Sequence, residues 1–302
     1  MPAATPRPGR RWGKLVPWLF VAPWVFGFIA FTVGPLLYSL YMSLFNWPLV
    51  GERTFVGLHN YSSMLQDEDF LDAVVVTLKF AALYVPVNLV LSLLLAMLLN
   101  QKVPGQGVFR TLFYLPSLIS TVALVTIWSW AYSHEYGILN YLLSLLNIPA
   151  VDWLGSPDWA MRSVVIAGLW GLGGTMLIFL AGLKGIPSEL HEAAILSGAG
   201  PVRRFFGLTL PLLSPVLLFN LVTTLIAAFQ QLALALLLTK GGPLKTTYMV
   251  ALYIYDTAFK HFEMGYASAM SWVMFLVVLL LSMLVMRFSS MWVFYEAEVK
   301  SK

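Results

Sequence analysis

The sequence has no cysteine and few charges. Its 302 residues carry no Cys at all, and only 11% are Asp, Glu, Lys or Arg. The first absence excludes disulfides and thiolate metal sites. The second excludes an ordinary soluble domain, in which roughly 25% of residues are charged. There is no G-x-x-x-x-G-K-[ST] loop to cradle the phosphates of ATP, no H-E-x-x-H pair and no G-x-S-x-G elbow. His59, His134, His191 and His261 lie far apart in the chain. No catalytic residue and no metal ligand set is therefore assigned. The long apolar runs hold no Asp or Glu, and Lys79 is their one formal charge. A proton-coupled carrier relays through intramembrane carboxylates, so this composition argues against one, although sodium held by backbone carbonyls stays open. A transporter that neither binds ATP nor relays protons must draw energy from a partner.

What is present is apolar surface in long stretches. Hydrophobic residues make up 59% of the chain, and the mean hydropathy is +0.80. Six runs reach the roughly 17–25 residues that a helix needs to cross the hydrocarbon core. They are Val16–Leu44, Ala73–Leu99, Leu112–Trp130, Ser163–Leu183, Leu212–Leu238 and Ala267–Met286. Open strands would leave backbone groups unpaired in lipid, so the spans are helices. The expected fold is all-α, a six-helix polytopic membrane protein. The run from Leu15 to Val50 is too long for a signal-peptide core of about 7–15 residues, and is expected to be an uncleaved first span.

Lys and Arg orient the spans. With the N-terminus inside, the inner side holds Arg7, Arg10, Arg11, Lys14, Lys102, Arg110, Lys184, Arg203, Arg204, Arg287, Lys300 and Lys302. The outer side holds Arg53, Lys79, Arg162, Lys240, Lys245 and Lys260. That asymmetry favours both termini inside. The net charge of +4 is thus spread over helix ends, not gathered on one face, and nucleic-acid binding is excluded. The organisation expected is a cytoplasmic tail over residues 1–14, the first transmembrane helix and outer loop over 15–72, a transmembrane core over 73–288 and a cytoplasmic tail over 289–302. Glu52, Asp67, Glu68, Asp69 and Asp72 crowd the first outer loop. Trp47, Trp128, Trp130, Trp153 and Trp159 fit interfacial belts. Lys79 fits a snorkelling role better than a pore-facing one.

One inner loop, Lys184–Pro211, has legible local physics. Ser188 can cap a short helix, and Glu189 sits in its first turn, where the helix dipole favours an anion. Leu190, Ala193, Ala194 and Ser197 share one face. Gly198 and Gly200 can end the helix in a left-handed conformation, and Pro201 can open another. Pro211 marks a turn into the fifth span. A small Ala face rimmed by Glu192 suits close approach of another surface. An amphipathic helix lying on the membrane fits these residues equally well.

Glu192-Ala193-Ala194-x-x-x-Gly198, followed by Leu210-Pro211, resembles the E-A-A-x-x-x-G…L-P loop of importer permeases of the ATP-binding-cassette (ABC) superfamily. The stretches Phe55–Tyr61, Phe109–Pro116, Thr239–Pro243 and Gly265–Met270 resemble further segments of the sugar-type branch, the lactose- and glycerol-phosphate-like permeases. Together the likeness covers about residues 15–290. It implies the type I ABC importer transmembrane fold, with the loop serving as an ATPase-coupling helix. It also implies four partners: a second homologous permease completing a heterodimer, two ATP-binding ATPase subunits, and an extracellular solute-binding protein. The ATPases, not this chain, would hold ATP and Mg. The cargo implied is a sugar or sugar-like solute, with a glycerol phosphate or an ATP-independent carrier as alternatives. Two departures stand out. Ser197 replaces the loop's usual Asp, and Phe229–Leu238 has no acidic residue where the family often does.

Sugars are held by amides, hydroxyls and aromatic faces. Candidates on the solute path are Asn88, Asn220, Thr223, Thr224, Gln230 and Gln231. Asn220, Thr223, Thr224 and Gln231 would share one stripe of a continuous fifth helix, serving either solute or helix–helix hydrogen bonds. Pro86, Pro116, Pro211 and Pro215 suggest kinks, and Gly168, Gly171 and Gly174 a small stripe in the fourth span.

Overall fold

The computed structural model describes residues 12–48, 51–101 and 104–294, with side chains from residue 18. Most of the two expected tails, with Arg7, Arg10, Arg11, Lys300 and Lys302, lies outside the described residues, as do Lys102 and the side chain of Lys14. The chain forms two compact units. One runs to Gln66 and takes in Thr257–Trp272; the other comprises Asp67–Asp256 and the residues after Val273.

In the first unit, α1 (Trp12–Phe28), a π turn at Ile29–Val33 and α2 (Gly34–Ser43) make one apolar helix. Its span-length part, Trp18–Ser43, has none of its most apolar stretch buried. Pro35 can neither donate to the ladder nor accept a close carbonyl at position i−4, which explains the widened turn before it. Two short strands follow, β1 (Phe45–Asn46) and β2 (Thr54–Phe55), paired antiparallel with Phe45 opposite Phe55. Next comes α3 (His59–Met64). From it the Asn60 amide donates to the carbonyls of Ser43 (2.8 Å) and Phe45 (3.0 Å), and Tyr61 shares a 2.7 Å hydrogen bond with Ser43. The Phe55–Tyr61 motif is therefore a clasp on the end of α2. Gly265 has an equally local reason. A Cβ there would lie 2.0 Å from the Phe45 carbonyl oxygen, so only glycine fits.

The second unit is built on α4 (Glu68–Asn100). Its 33 residues exceed the expected second span at both ends. Asp67 caps it, accepting from Phe70 N at 3.1 Å, and Glu68 and Asp69 occupy its first turn. Glu68, Asp69 and Asp72 thus belong to a helix N-terminus, where the dipole stabilises them, and not to the loop. At the other end Gln106 donates to the carbonyls of Leu99 and Gln101, and Arg110 reaches Leu99 O at 3.5 Å. Both come from α5 (Gln106–Tyr114), so the Phe109–Pro116 motif starts with a cap for its neighbour.

The third and fourth apolar runs are not straight spans. α5 and the 3-10 turn Leu115–Leu118 meet α6 (Thr121–Ala131) at 99°, and α8 (Pro157–Leu169) meets α9 (Gly173–Gly185) at 51°. Pro116 lies at the first break, and Ser120 restarts the chain by accepting from Ala123 N at 3.4 Å. At the second break the tight residue is Gly173, whose Cβ would fall 2.5 Å from the Phe113 carbonyl oxygen. The expected stripe Gly168–Gly171–Gly174 does not form one, since Gly171 lies between the two helices. Four single helices and two bent pairs are long and apolar enough to cross a membrane among the described residues.

Within this unit α4, α9 and α12 (Leu210–Phe229) pack around Phe80, Val85, Leu89, Met176, Phe179 and Leu213. Ala96 and Gly182 let neighbours approach closely. A π turn at Ala235–Thr239, α13 (Val250–Phe259) and α14 (Met264–Ser289) complete the described chain. The start of α13 is tied to α4 by Val250 N donating to the Thr77 hydroxyl at 2.9 Å.

The aromatic belt divides. Trp130 is 53% exposed and fits it, but Trp153 and Trp47 are buried. Trp153 belongs to a hydrogen-bonded knot between α6 and α8. Its indole donates to Asn140 Oδ1 (3.0 Å), its carbonyl accepts from Ser163 (2.8 Å), and Tyr132 donates to Ser163 O (2.8 Å). Trp128, Tyr132, Trp153 and Trp159 follow one another in ring contact at 5.0–5.6 Å. In the first unit, Trp47 is enclosed by Tyr38, Tyr41 and Phe45, and the Arg53 guanidinium lies 3.8 Å from its ring centre.

Candidate functional site

The loop that joins α9 to α12 carries the residues Glu192, Ala193, Ala194, Gly198, Leu210 and Pro211. It folds as α10 (Ser188–Leu196) and α11 (Pro201–Arg204). The expected cap at Ser188 is not made. Pro187 precedes the helix in extended conformation, Ser188 is already its first residue, and no side chain caps the end. Glu189 does occupy the first turn.

The C-terminal end is far better determined. Gly198 has φ +75°, Ala199 N donates to Ala194 O (3.0 Å), and Gly198 N donates to Ile195 O (2.9 Å). This pair of bonds is the Schellman closure, which requires a left-handed residue at the glycine. Gly200 is extended, not left-handed, and serves instead as the residue before α11, where Pro201 takes a first-turn position. Ser197 contributes its own bond, its hydroxyl donating to Ala193 O at 2.9 Å. A carboxylate could not donate there, so the Ser that departs from the usual Asp closes the helix by a different route.

On α10 Glu192 and Ala193 are exposed and Ala194 is half-buried. Around them the surface is apolar: Leu196 is 89% exposed, and Ile195 and Leu190 are also open. Gly200, Pro201, Val202, Arg203, Phe206 and Gly207 line an open groove of about 710 Å³. Leu210 and Pro211 are not at a turn. From Pro201 to Phe229 the helix is uninterrupted for 29 residues, with a π turn at Phe205–Thr209. Pro211 is tolerated because it falls near the start of α12, where the widened turn already relaxes the ladder. Next to it Ser214 donates to Pro211 O (2.5 Å) and accepts from Phe294 N (2.9 Å), which fastens the end of the described chain to the base of this helix.

The solute-path candidates separate. Asn88 on α4 and Asn220 and Thr224 on α12 are buried, whereas Thr223 and Gln230 are exposed. The stripe expected to include Gln231 is broken, because α12 ends at Phe229; Gln231 instead accepts from Leu234 N at 3.4 Å. The Thr223 hydroxyl is used locally on Phe219 O (2.9 Å) and Asn220 O (3.2 Å). Asn88 donates to Tyr84 at 3.3 Å, but its carbonyl oxygen and both amide atoms of Asn220 have no hydrogen-bond partner among the described residues. Buried amides normally find partners, so these two positions are the ones that stand out.

Some polar groups escaped the sequence pattern. Asp256, on α13, is buried and accepts from Tyr248 at 2.9 Å; burial and this carboxylate push the Tyr248 phenol up. It falls between the fifth and sixth apolar runs, where composition alone gives no sign of burial. Asp69 pairs with Lys245 at 2.6 Å beside a cavity of about 320 Å³, whose wall includes Asp72, Lys79 and Thr246. Lys79 therefore borders a recess of mixed lining, with Val75, Val76 and Met161 also in its wall.

The profile of a family described as "Binding-protein-dependent transport system inner membrane component" matches residues 71–292. The chain belongs to that family. It is a membrane permease subunit of an ABC importer. Among curated relatives it is 39% identical over 290 residues to the probable ABC transporter permease protein YesP of Bacillus subtilis (strain 168), covering 94% of each chain. It is 34% identical to the trehalose/maltose transport system permease protein MalF of Thermococcus litoralis, over 87% of this chain and 89% of that one. Among solved structures it superposes with TM-score 0.81 on a chain of a bacterial alginate ABC transporter crystallised with an alginate pentasaccharide-bound periplasmic protein. That likeness covers 93% of this permease and 97% of the other chain at 22% identity. The permease has the type I importer fold. It is a transport subunit and a multi-pass membrane protein.

Proposed function

We propose that this permease moves a sugar across the cell membrane, driven by ATP hydrolysed on partner subunits. It crosses the membrane six times, each bent pair counted as one, and the Lys and Arg asymmetry favours both termini in the cytoplasm. The chain has no ATPase site of its own; two ATPase subunits hold ATP and Mg. A second homologous permease completes the pathway as a heterodimer, and an extracellular solute-binding protein delivers the cargo. The sugar assignment draws on the trehalose/maltose relative.

The observation that carries the coupling role is the Schellman-closed α10, which displays Glu192 and Ala193 to solvent. Its small face lets an ATPase surface approach the backbone, and Glu192 fixes register by charge. α11 continues without a break into α12, a helix of about 43 Å at 1.5 Å per residue. A displacement at the loop is thus carried along α12 to Asn220 and Thr224. The ATPases drive the cycle only through their differential affinity for its two states. Asn88 and Asn220 are the solute-path residues best supported, since the Asn88 carbonyl oxygen and both amide atoms of Asn220 are buried without a partner among the described residues.

The test is Glu192→Lys in the complete transporter reconstituted with its binding protein. Uptake and stimulated ATPase activity are expected to fall together by tenfold or more, with assembly retained (about 1.4 kcal/mol of lost coupling). Wild-type activity in both assays would remove the coupling role. The cargo is read from the ligand that co-purifies with the binding protein; a non-sugar ligand overturns the sugar assignment alone.

A further inference from the structure

α7 (Ile138–Leu145) lies in the segment between α6 and α8. Its amphipathicity is inverted. The buried position is a polar residue, Asn140, and the exposed positions are apolar except for Ser144. Asn140 is fully used: it donates to His134 O (3.2 Å) and Val151 O (2.9 Å) and accepts from Val151 N (3.0 Å) and the Trp153 indole (3.0 Å). Leu139 and Leu143 pack beside it against the core. These bonds fix the rotation of α7, so it cannot turn its other face inward. That face presents Tyr136, Tyr141, Leu142, Leu145, Leu146 and Ile148, with Leu145 62% and Leu146 70% exposed.

From Tyr136 to Val151 the sequence has no charged residue and no histidine; Glu135 and Asp152 flank the stretch. The Ser144 hydroxyl is spent on Tyr141 O at 2.7 Å. A soluble partner that docks and leaves meets a surface about as polar as any other, whereas here the exposed polar groups are two phenols, the Ser144 hydroxyl and the Asn147 amide among apolar side chains. It also continues the membrane-facing surface: Trp130, exposed on the last turn of α6, precedes Tyr136 by one short turn. Trp and Tyr with adjoining leucines are the composition of the boundary between headgroups and acyl chains.

We infer that α7 is an interfacial helix, its Tyr141–Leu142–Leu145–Leu146 face seated in the bilayer boundary. Asn140 and the Tyr132–Ser163–Trp153 knot join it to α6 and α8, so the lipid contact holds the ends of both bent pairs at one depth. The occupant is the lipid surface itself.

The chain lacks cysteine, so single-site labelling needs no background removal in it. Leu142→Cys and Leu145→Cys carry a nitroxide in the complete transporter, with cysteine-free partners, in nanodiscs of phosphatidylethanolamine and phosphatidylglycerol. Both positions are exposed, so the labels disturb no core. Glu135→Cys is the aqueous reference. Collision with oxygen is expected to exceed collision with a nickel chelate severalfold at 142 and 145, and the order to reverse at 135. Chelate access at 142 and 145 equal to that at 135 overturns the inference. So does shielding from both reagents, which indicates a protein contact, or shielding that arises only when the solute-binding protein is added.

Discussion

Replacing Gly198 tests whether the shape of the loop, and not merely its charge, carries coupling. The backbone there is left-handed at φ +75°, and a Cβ would meet nothing within 4 Å. Alanine therefore costs no packing. What it costs is conformation, about 1–2 kcal/mol for an L-residue in the left-handed region. At tenfold per 1.4 kcal/mol, the Schellman-closed form loses about 5- to 30-fold in population against its alternatives. The foremost alternative is continuation of α10 through residue 198, which breaks the Ala199–Ala194 and Gly198–Ile195 bonds and redirects α11. Asparagine adopts the left-handed conformation far more readily. In the assembled transporter, Gly198→Ala should lower binding-protein-stimulated ATPase activity and uptake by several-fold. Gly198→Asn should stay within about twofold of wild type. The thermal midpoint of the alanine variant should fall by no more than the equivalent of that cost of about 1–2 kcal/mol, because the residue is exposed and loses no packing. Equal loss in both variants, or none in the alanine variant, refutes the argument from backbone shape.

Other expectations follow from the same accounting. Asn140→Ala leaves the Trp153 indole, Val151 N and two carbonyls without partners; at about 1–3 kcal/mol per buried group, several kcal/mol of stability should go. Thermal unfolding followed by tryptophan emission measures it, and an unchanged midpoint contradicts the knot. Asn220→Leu removes a buried amide with no partner, so the midpoint should rise by an amount equivalent to about 1–3 kcal/mol. Uptake should fall in that variant if the residue meets solute; a lower midpoint refutes the first claim and full uptake the second. The Asp69 carboxylate holds the Lys245 amine above its usual value, helped by Asp72 and Asp67. A raised lysine contributes stability that is complete below its unfolded value and lost as pH climbs through the folded one. The difference in midpoint between wild type and Lys245→Ala should thus be flat from about pH 6 to 9 and vanish at higher pH. A difference that already declines below pH 9 excludes the pair as its source.

Apolar run length located every long helix, since a span must bury about 30 Å of backbone whatever packs beside it. It could not locate the breaks. At Pro116 and between α8 and α9, the ladder opens because groups distant in sequence fill or crowd the gap, as Phe113 does at Gly173. Trp153 shows a second limit. Tryptophan suits both an interface and a core, and Asn140 thirteen residues away decides which. Asp256 shows a third, because a hydropathy window that selects uncharged stretches passes over a buried acid.

In the loop between α9 and α12 the division is clear. The sequence alone determined that a short helix beginning near Ser188 carries Glu192 and is stopped at Gly198, because helix periodicity and the left-handed cap are local physics. It also pointed to the family, since the spacing of that loop resembles the family motif, and the family match over residues 71–292 bears this out. Only the tertiary structure decided that Ser188 caps nothing, that Ser197 closes the helix by donating to Ala193 O, and that Leu210 and Pro211 sit inside one helix continuous with α11. A cap or a turn depends on which competing partner lies closer, and that is fixed only when the whole chain has packed.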